Sequence, residues 1–258
     1  MTGRSATGIS SFKGSSLMRL YGKNPVIERL KFDPRSIQRI YIETGHADSG
    51  YVHKKAKKAG IAVCSVPRSK IQKLARNLNT QGILAEVGDF PYVEYDDLLE
   101  QALKKNLVLV FLDGLNDPQN FGGILRSCAC FGGFAVVLPT HDSVDVTETV
   151  LRVACGGENY VPIAKVANLG RALEEAKDKG FWIAGTVVAD GENVCDTKLQ
   201  FPLGVVIGSE QKGIRAVIRK LIDQALTLPM AQPRMSLNAA HAASVFCYEI
   251  MLQKNGKK

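Results

Sequence analysis

The sequence holds no uninterrupted apolar stretch near the roughly 20 residues that a bilayer crossing requires. It has no Cys-x-x-Cys pair. Cys64, Cys128, Cys130, Cys155, Cys195 and Cys247 are dispersed, most among apolar neighbours, and read as buried, reduced thiols. His46, His53, His141 and His241 are equally scattered, so no zinc or other metal site is expected. No G-x-G-x-x-G follows a strand-like run; the pair Gly156-Gly157 follows helix-like sequence instead. Phosphate-binding P-loop and G-x-S-x-G patterns are also missing, which argues against dinucleotide, nucleoside triphosphate and serine-hydrolase chemistry. Residues 1–16 are rich in Gly, Ser and Thr and lack an apolar centre; they read as a disordered lead and not as a secretory signal, which favours a cytoplasmic protein.

With 258 residues and 45% hydrophobic content, the chain can bury one large core or two modest ones. Its net charge of +8 is unevenly placed. Residues 1–95 carry 16 Lys and Arg against 7 Asp and Glu, whereas residues 96–258 carry 17 against 18. A basic module joined to a near-neutral one suggests a polyanion-binding part and a chemical part. The charge alone fits a solvated lysine-rich surface equally well.

The first third alternates short signals. Asn24-Pro25 opens a helix through Val26, Ile27 and Leu30. Ile37 to Ile42 is a strand, Ser49 to Lys58 a basic helix stopped by Gly60, Ile61 to Val66 a strand, Ser69 to Leu78 a helix, and Gly82 to Val87 a strand. This predicts a small α/β sandwich over 17–89. Residues 90–105 read as a linker and connecting helix. From 106 to 258, apolar runs of strand length alternate with helical stretches: Leu107 to Leu112, Phe134 to Leu138, Tyr160 to Ile163, Phe181 to Gly185, Leu203 to Ile207 and Ala225 to Leu228. The intervening helices are Asn120 to Phe131, Leu169 to Lys179 and Ser236 to Leu252. Such alternation predicts an α/β domain with a mainly parallel sheet.

Glycine and polar residues cluster just after three of these strands, at 113–123, 208–213 and 229–238. Ligands of open α/β sheets bind there. The three stretches are Asp117-Pro118-Gln119-Asn120-Phe121-Gly122-Gly123-Ile124-Leu125-Arg126, Ile207-Gly208-Ser209-Glu210-Gln211-Lys212-Gly213, and Leu228-Pro229-Met230 continuing to Ser236-Leu237-Asn238. In this order they resemble the three signature motifs of the SpoU (TrmH-type) branch of the SPOUT RNA methyltransferases. Tyr21-Gly22-Lys23-Asn24-Pro25-Val26 and Thr80-Gln81-Gly82-Ile83 resemble the opening and closing segments of the ribosomal-protein-like substrate-binding domain that precedes many of these catalytic domains.

The resemblance implies methyl transfer from S-adenosylmethionine to a ribose 2′-hydroxyl, with guanosine of 23S ribosomal RNA as the expected target. Transfer RNA methylation, a resistance-type ribosomal methyltransferase and a non-catalytic ribosome-assembly factor are the alternatives. It implies a deep trefoil knot near the C-terminus, with the cofactor held mostly by backbone at Thr186, Gly208, Leu228, Met230 and Leu237. Gly208 would let the chain approach the ligand closely. Asn120, Arg126, Glu210, Ser236 and Asn238 would form the catalytic wall. In it, Arg126 would position phosphate and stabilise the developing oxyanion, Asn120 would orient Arg126 or the ribose, and Glu210 would accept a hydrogen bond from an active-site group or help relay the proton. By themselves, Asn120 and Ser236 read equally well as helix N-caps. Lys54, Lys55, Lys57, Lys58, Arg68, Lys70, Lys73 and Arg76 would contact RNA phosphates. A homodimer is implied, its contact made by Ala243, Val245, Phe246, Ile250 and Met251 of the last helix. The stretch Cys155-Gly156-Gly157-Glu158-Asn159 departs from the family pattern, with Asn159 where glutamate often stands, as does His241 after the third motif.

Overall fold

The computed structural model describes residues 17–76, 78–232 and 235–256; the expected disordered lead, 1–16, lies outside them. Two sheets organise the chain. The first contains β1 (Met18–Tyr21), β2 (Ile37–Glu43), β3 (Ala62–Val66) and β4 (Ile83–Val87) in the order β1-β4-β2-β3. Here β4 runs antiparallel to both neighbours and β2 parallel to β3. Helices α1 (Lys23–Phe32) and α2 (Ser49–Ala59) place Val26, Leu30, Val52 and Ala56 in the same buried cluster as Ile40, Ile42, Ile83 and Ala85. Helix α3 (Arg68–Leu74) contributes Leu74 to a separate small cluster with Tyr21, Ala75 and Leu84. Gly60 ends α2 in a left-handed conformation, and its N–H reaches the carbonyls of Ala56 and Lys57. Asn24 is not the cap of α1. The helix is entered through Gly22, whose φ of 98° and hydrogen bond to Ile83 O at 3.0 Å turn the chain directly off the sheet.

The second sheet holds β5 (Val108–Asp113), β6 (Phe134–Pro139), β7 (Ile163–Val166), β8 (Trp182–Thr186), β9 (Glu192–Asn193), β10 (Leu203–Gly208) and β11 (Gln224–Thr227). Its order is β7-β6-β5-β10-β8-β11-β9, and every pairing is parallel. The remaining helices are α4 (Tyr95–Lys105), α5 (Pro118–Phe131), α6 (Glu148–Ala154), α7 (Leu169–Asp178), α8 (Ala216–Arg219) and α9 (Ala239–Lys254). The all-apolar run of β5 is explained by layers on both faces. Val108, Val110 and Leu112 pack in one cluster with Phe121 and Ile124 of α5 and Phe246 and Ile250 of α9. The alternate residues Leu109 and Phe111 pack with Leu98 and Leu99 of α4 and Leu173 of α7. The segment expected as a linker is itself anchored: Val93 N–H bonds Ile163 O at 2.8 Å, and α4 buries Tyr95, Leu98, Leu99 and Ala102.

Several sequence expectations shift. The strand expected from Tyr160 begins at Ile163, because a 3₁₀ turn at Gly157–Asn159 and then Pro162 precede it. Helix α5 is capped by Asp117, whose side chain accepts from Gln119 N–H, which leaves Asn120 inside the first turn and buried. Helix α9 is capped by Asn238, not Ser236. Ala243, Phe246 and Ile250, expected at a subunit contact, are buried within this chain, whereas Val245 is 42% exposed. The cause is close approach of α9 to α5: a Cβ on Gly123 would lie 2.8 Å from Ala240 Cβ, and Ser127 Oγ meets Ser244 Oγ at 2.6 Å. Of the six free cysteines, only Cys128 and Cys247 are buried, while Cys130 and Cys195 are exposed. The Cys128 thiol is held well above its ordinary value by its contact with Cys247 and by burial.

Candidate active site

The chain reaches β8 before it inserts β10 between β5 and β8, so the carboxyl ends of β5 and β10 open at a switch in strand order, where such sheets bind ligands. Asp113, the last residue of β5 and 1% exposed, accepts from the Arg215 backbone N–H at 2.7 Å and from its Nε at 2.6 Å. This fixes the far end of the loop that leaves β10. Within that loop Gly213 N–H bonds Ser209 O at 2.9 Å, so Glu210, Gln211 and Lys212 form its projecting tip. The glycine at 208 has a second reason beyond ligand approach. A Cβ there would lie 2.2 Å from Gly213 C and 2.4 Å from Ile214 N, so the returning chain itself occupies the space.

Three separated residues meet at this loop. Asn120 Nδ2 donates to Glu210 Oε1, Asn238 Nδ2 donates to Asn120 Oδ1 at 2.6 Å, and Asn238 Oδ1 accepts from Ala240 N–H at 2.8 Å. The carboxylate only accepts, which obliges Asn120 to turn its NH₂ toward it and its oxygen toward Asn238. One anionic group thus sets the direction of the whole chain of bonds, which ends on the first turn of α9. The side-chain partners of Asn120 here are Glu210 and Asn238, and Arg126 is not among them.

Arg126 stands apart. It lies six positions after Asn120 on a helix of about 3.6 residues per turn, and so on a different side of it. Its side chain is exposed and makes no hydrogen bond or ion pair among the described residues. Ser236 is also exposed but lines the smaller of the two cavities that border the 209–213 loop.

That smaller cavity, about 360 Å³, is bounded by all five residues expected to hold a cofactor: Thr186, Gly208, Leu228, Met230 and Leu237. Ile207 and Phe246 add to its apolar wall, and Glu210 lies on its border. Leu237 remains 41% exposed and Met235 63% at its edge. A compact amphipathic cation suits such a site, with apolar walls for ring and chain and a carboxylate for the charge. The larger cleft, about 1320 Å³, is lined by Asp113, Asp117, Asn120, Asn168, Arg171 and Lys220 among others. Residues 209–213 border both, so Glu210 faces the two spaces at once. Sequence reasoning missed Asp113 and Arg215 as loop anchors; the visible signal was a carboxylate ending an otherwise apolar strand.

The expected RNA contacts are all exposed, and none of the eight forms an ion pair among the described residues. Lys54, Lys55, Lys57 and Lys58 lie on α2; Arg68, Lys70 and Lys73 lie on α3, with Arg76 just beyond. The two helices flank the edge strand β3 in sequence and pack into different clusters, so the cations surround an edge and do not form one flat patch.

Comparison with known proteins agrees with this architecture. Residues 107–248 match the SpoU rRNA Methylase family, and residues 19–93 match the RNA 2′-O ribose methyltransferase substrate-binding family. An uncharacterized tRNA/rRNA methyltransferase of Synechocystis is 39% identical over 91% of this chain, which spans 62% of that relative's length. YacO of Bacillus subtilis, which bears a TrmH-family tRNA/rRNA methyltransferase name, is 37% identical over 91% of this chain and 95% of its own. Among solved structures, the SpoU methyltransferase AviRb of Streptomyces viridochromogenes with AdoMet aligns over 93% of this chain and 91% of its own, with TM-score 0.75 and 22% identity. An AdoMet-bound rRNA methyltransferase of Sinorhizobium meliloti aligns over 92% and 87% of the two chains, with TM-score 0.75 and 21% identity. From its two matched modules and these relatives, the chain belongs to the SpoU/TrmH family of RNA methyltransferases.

Proposed function

We propose that this chain methylates a ribose 2′-hydroxyl in RNA with S-adenosylmethionine, its target a guanosine of 23S ribosomal RNA. The observation that carries the reading is Glu210, held by Asn120 and Asn238 on the wall between a small apolar cavity and a large polar cleft. Thr186, Gly208, Leu228, Met230 and Leu237 would hold S-adenosylmethionine, which when bound supplies an activated methyl carbon. The nucleotide would enter from the cleft. Glu210 has one carboxylate oxygen engaged by Asn120 and the other available to orient the hydroxyl and receive its proton, directly or through water. Ser236, on the border of the small cavity, would complete the polar wall.

Residues 17–89 would bind RNA and 106–258 carry out the chemistry, with 90–105 joining them and a knot formed by the last strands. We assign the outward side of α5 and α9, with Arg126 and Val245, to a homodimer contact. There Arg126 would grip the phosphate beside the target, since a guanidinium hardly deprotonates. The work would take place in the cytoplasm.

Incubation with labelled S-adenosylmethionine and total RNA from a deletion strain should label one large ribosomal RNA, and primer extension at low nucleotide should map the position. Labelled transfer RNA would redirect the substrate. Cofactor binding without any transfer would favour an assembly factor. Arg126→Ala should abolish transfer while cofactor affinity stays close to wild type; loss of cofactor binding would refute its assigned role.

A further inference from the structure

The turn at 156–160 belongs to the second sheet's half of the chain, yet it is pressed between two elements from different halves. On one side lies α1. A Cβ on Gly156, whose φ is +94°, would meet Glu28 Cβ at 2.7 Å and Cγ at 2.9 Å. On the other side lies α5. A Cβ on Gly157 would meet Arg126 Cα at 3.1 Å, Ala129 Cβ at 3.2 Å and Leu125 O at 3.2 Å. The next residue, Glu158, pairs with Arg29 of α1, Nη2 to Oε1 at 3.1 Å, and both residues are 3% exposed. Asn159 Nδ2 steadies the same carboxylate oxygen at 3.1 Å, and Tyr160 donates its hydroxyl to Glu28 Oε2.

This ion pair is a poor source of stability. Arg29 Nε and Glu158 Oε2 are buried with no hydrogen-bond partner among the described residues. Desolvating two charges with bonds unmade offsets most of their attraction, and replacing such a pair by apolar residues is often neutral or stabilising. What a pair of this kind can supply is register, because only one docking angle lets it form.

We propose that Gly156-Gly157-Glu158 is a rigid joint that sets the angle between the basic first third of the chain and the helix carrying Arg126, so that bound RNA presents its ribose to Glu210. Arg29 and Glu158 are positioning residues in this scheme, not catalytic ones. The inference rests on the methyltransferase reading above for its effect on rate, but not for its effect on structure.

The test replaces the pair by apolar side chains in the full-length protein, Arg29→Met with Glu158→Leu, alongside the nearly isosteric Glu158→Gln. Thermal stability at neutral pH should hold or rise, and S-adenosylmethionine affinity should be unchanged. KM for RNA should change little, while kcat falls about 10-fold to 100-fold, the cost of a misplacement on the order of 1 Å. Amide hydrogen exchange should quicken in 156–160 and α1 and stay unchanged in β5 and β10. Folded variants with wild-type kcat, or a kcat loss accompanied by loss of cofactor affinity, would overturn the joint. Should the double variant fail to fold, Glu158→Gln decides alone. Should wild type transfer no methyl to any RNA, the functional reading falls; exchange in 156–160 then still decides, and unchanged protection in a folded variant would refute the joint.

Discussion

Gly208→Ala offers the sharpest test of how the site is built. The added methyl carbon would sit 2.2 Å from Gly213 C, 2.4 Å from Ile214 N and 2.5 Å from Gly213 O, all backbone atoms that cannot rotate aside. Moving from 2.2 Å to an ordinary contact of 3.4 Å demands a shift of about 1.2 Å in the 209–214 loop. The loop is pinned by the paired bonds of Ser209 and Gly213 and by Arg215 on Asp113, so the shift must break or bend one of these. Overpacking of this kind costs about 1–3 kcal/mol of stability. The functional loss should be larger, because the moving segment carries Glu210 and borders both cavities; a displacement near 1 Å can lower a rate on the order of 100-fold. The assay combines a thermal melt, S-adenosylmethionine binding by calorimetry and single-turnover transfer of a labelled methyl group. Gly50→Ala serves as the control: it lies in α2 with nothing within 4 Å of the added carbon, and should be neutral or gain about 0.5–1 kcal/mol. A Gly208→Ala protein with wild-type cofactor affinity and transfer rate would show that the loop's position does not govern the site.

Three further outcomes are expected. Asn120→Ala removes one hydrogen bond to a carboxylate and one to an amide, and should cost about 1–3 kcal/mol of stability. It should lower transfer far more than cofactor binding; additive effects with Glu210→Gln in a double-mutant cycle would refute the coupling. Charge reversal at Lys54, Lys55, Lys57 and Lys58 should weaken RNA binding and reduce the salt slope by about 0.7–0.9 for each phosphate no longer neutralised, whereas an unchanged slope would remove these residues from the interface. Burial raises the Glu158 carboxyl above its ordinary 4.5, an effect partly offset by the Arg29 guanidinium. The folded state then holds this proton more tightly than the unfolded state. Its contribution is complete below about 4.5 and is lost as pH rises through the raised value, so Glu158→Gln should gain on wild type between acid and neutral pH in parallel melts.

The parallel sheet was legible because β6, β10 and all of β5 before its terminal Asp113 are apolar, and few other environments tolerate that pattern. Asn120, Glu210 and Asn238 were legible only as motif members. Nothing in local sequence says that an asparagine in the first turn of α5 reaches across 90 residues to a carboxylate. The N-caps at Asp117 and Asn238 were displaced from the expected residues because a nearby polar side chain competes for the same backbone N–H groups, and tertiary contacts decide between them. The inward turn of Ala243, Phe246 and Ile250 was hidden for a related reason. Helix α9 is apolar around most of its circumference, so periodicity alone does not say which side meets α5. The Arg29–Glu158 pair spans 129 residues and has no short-range signature at all.

Leu20, Val26 and Ile42 share a single contiguous cluster with Phe121, Val150 and Leu151, so the two halves named by separate family matches are welded through common apolar packing. Heating should therefore melt them in one cooperative transition and not in two. A fragment cut between them would bare a greasy scar on each piece, prone to clumping, which makes this protein a poor candidate for dissection into independently soluble parts.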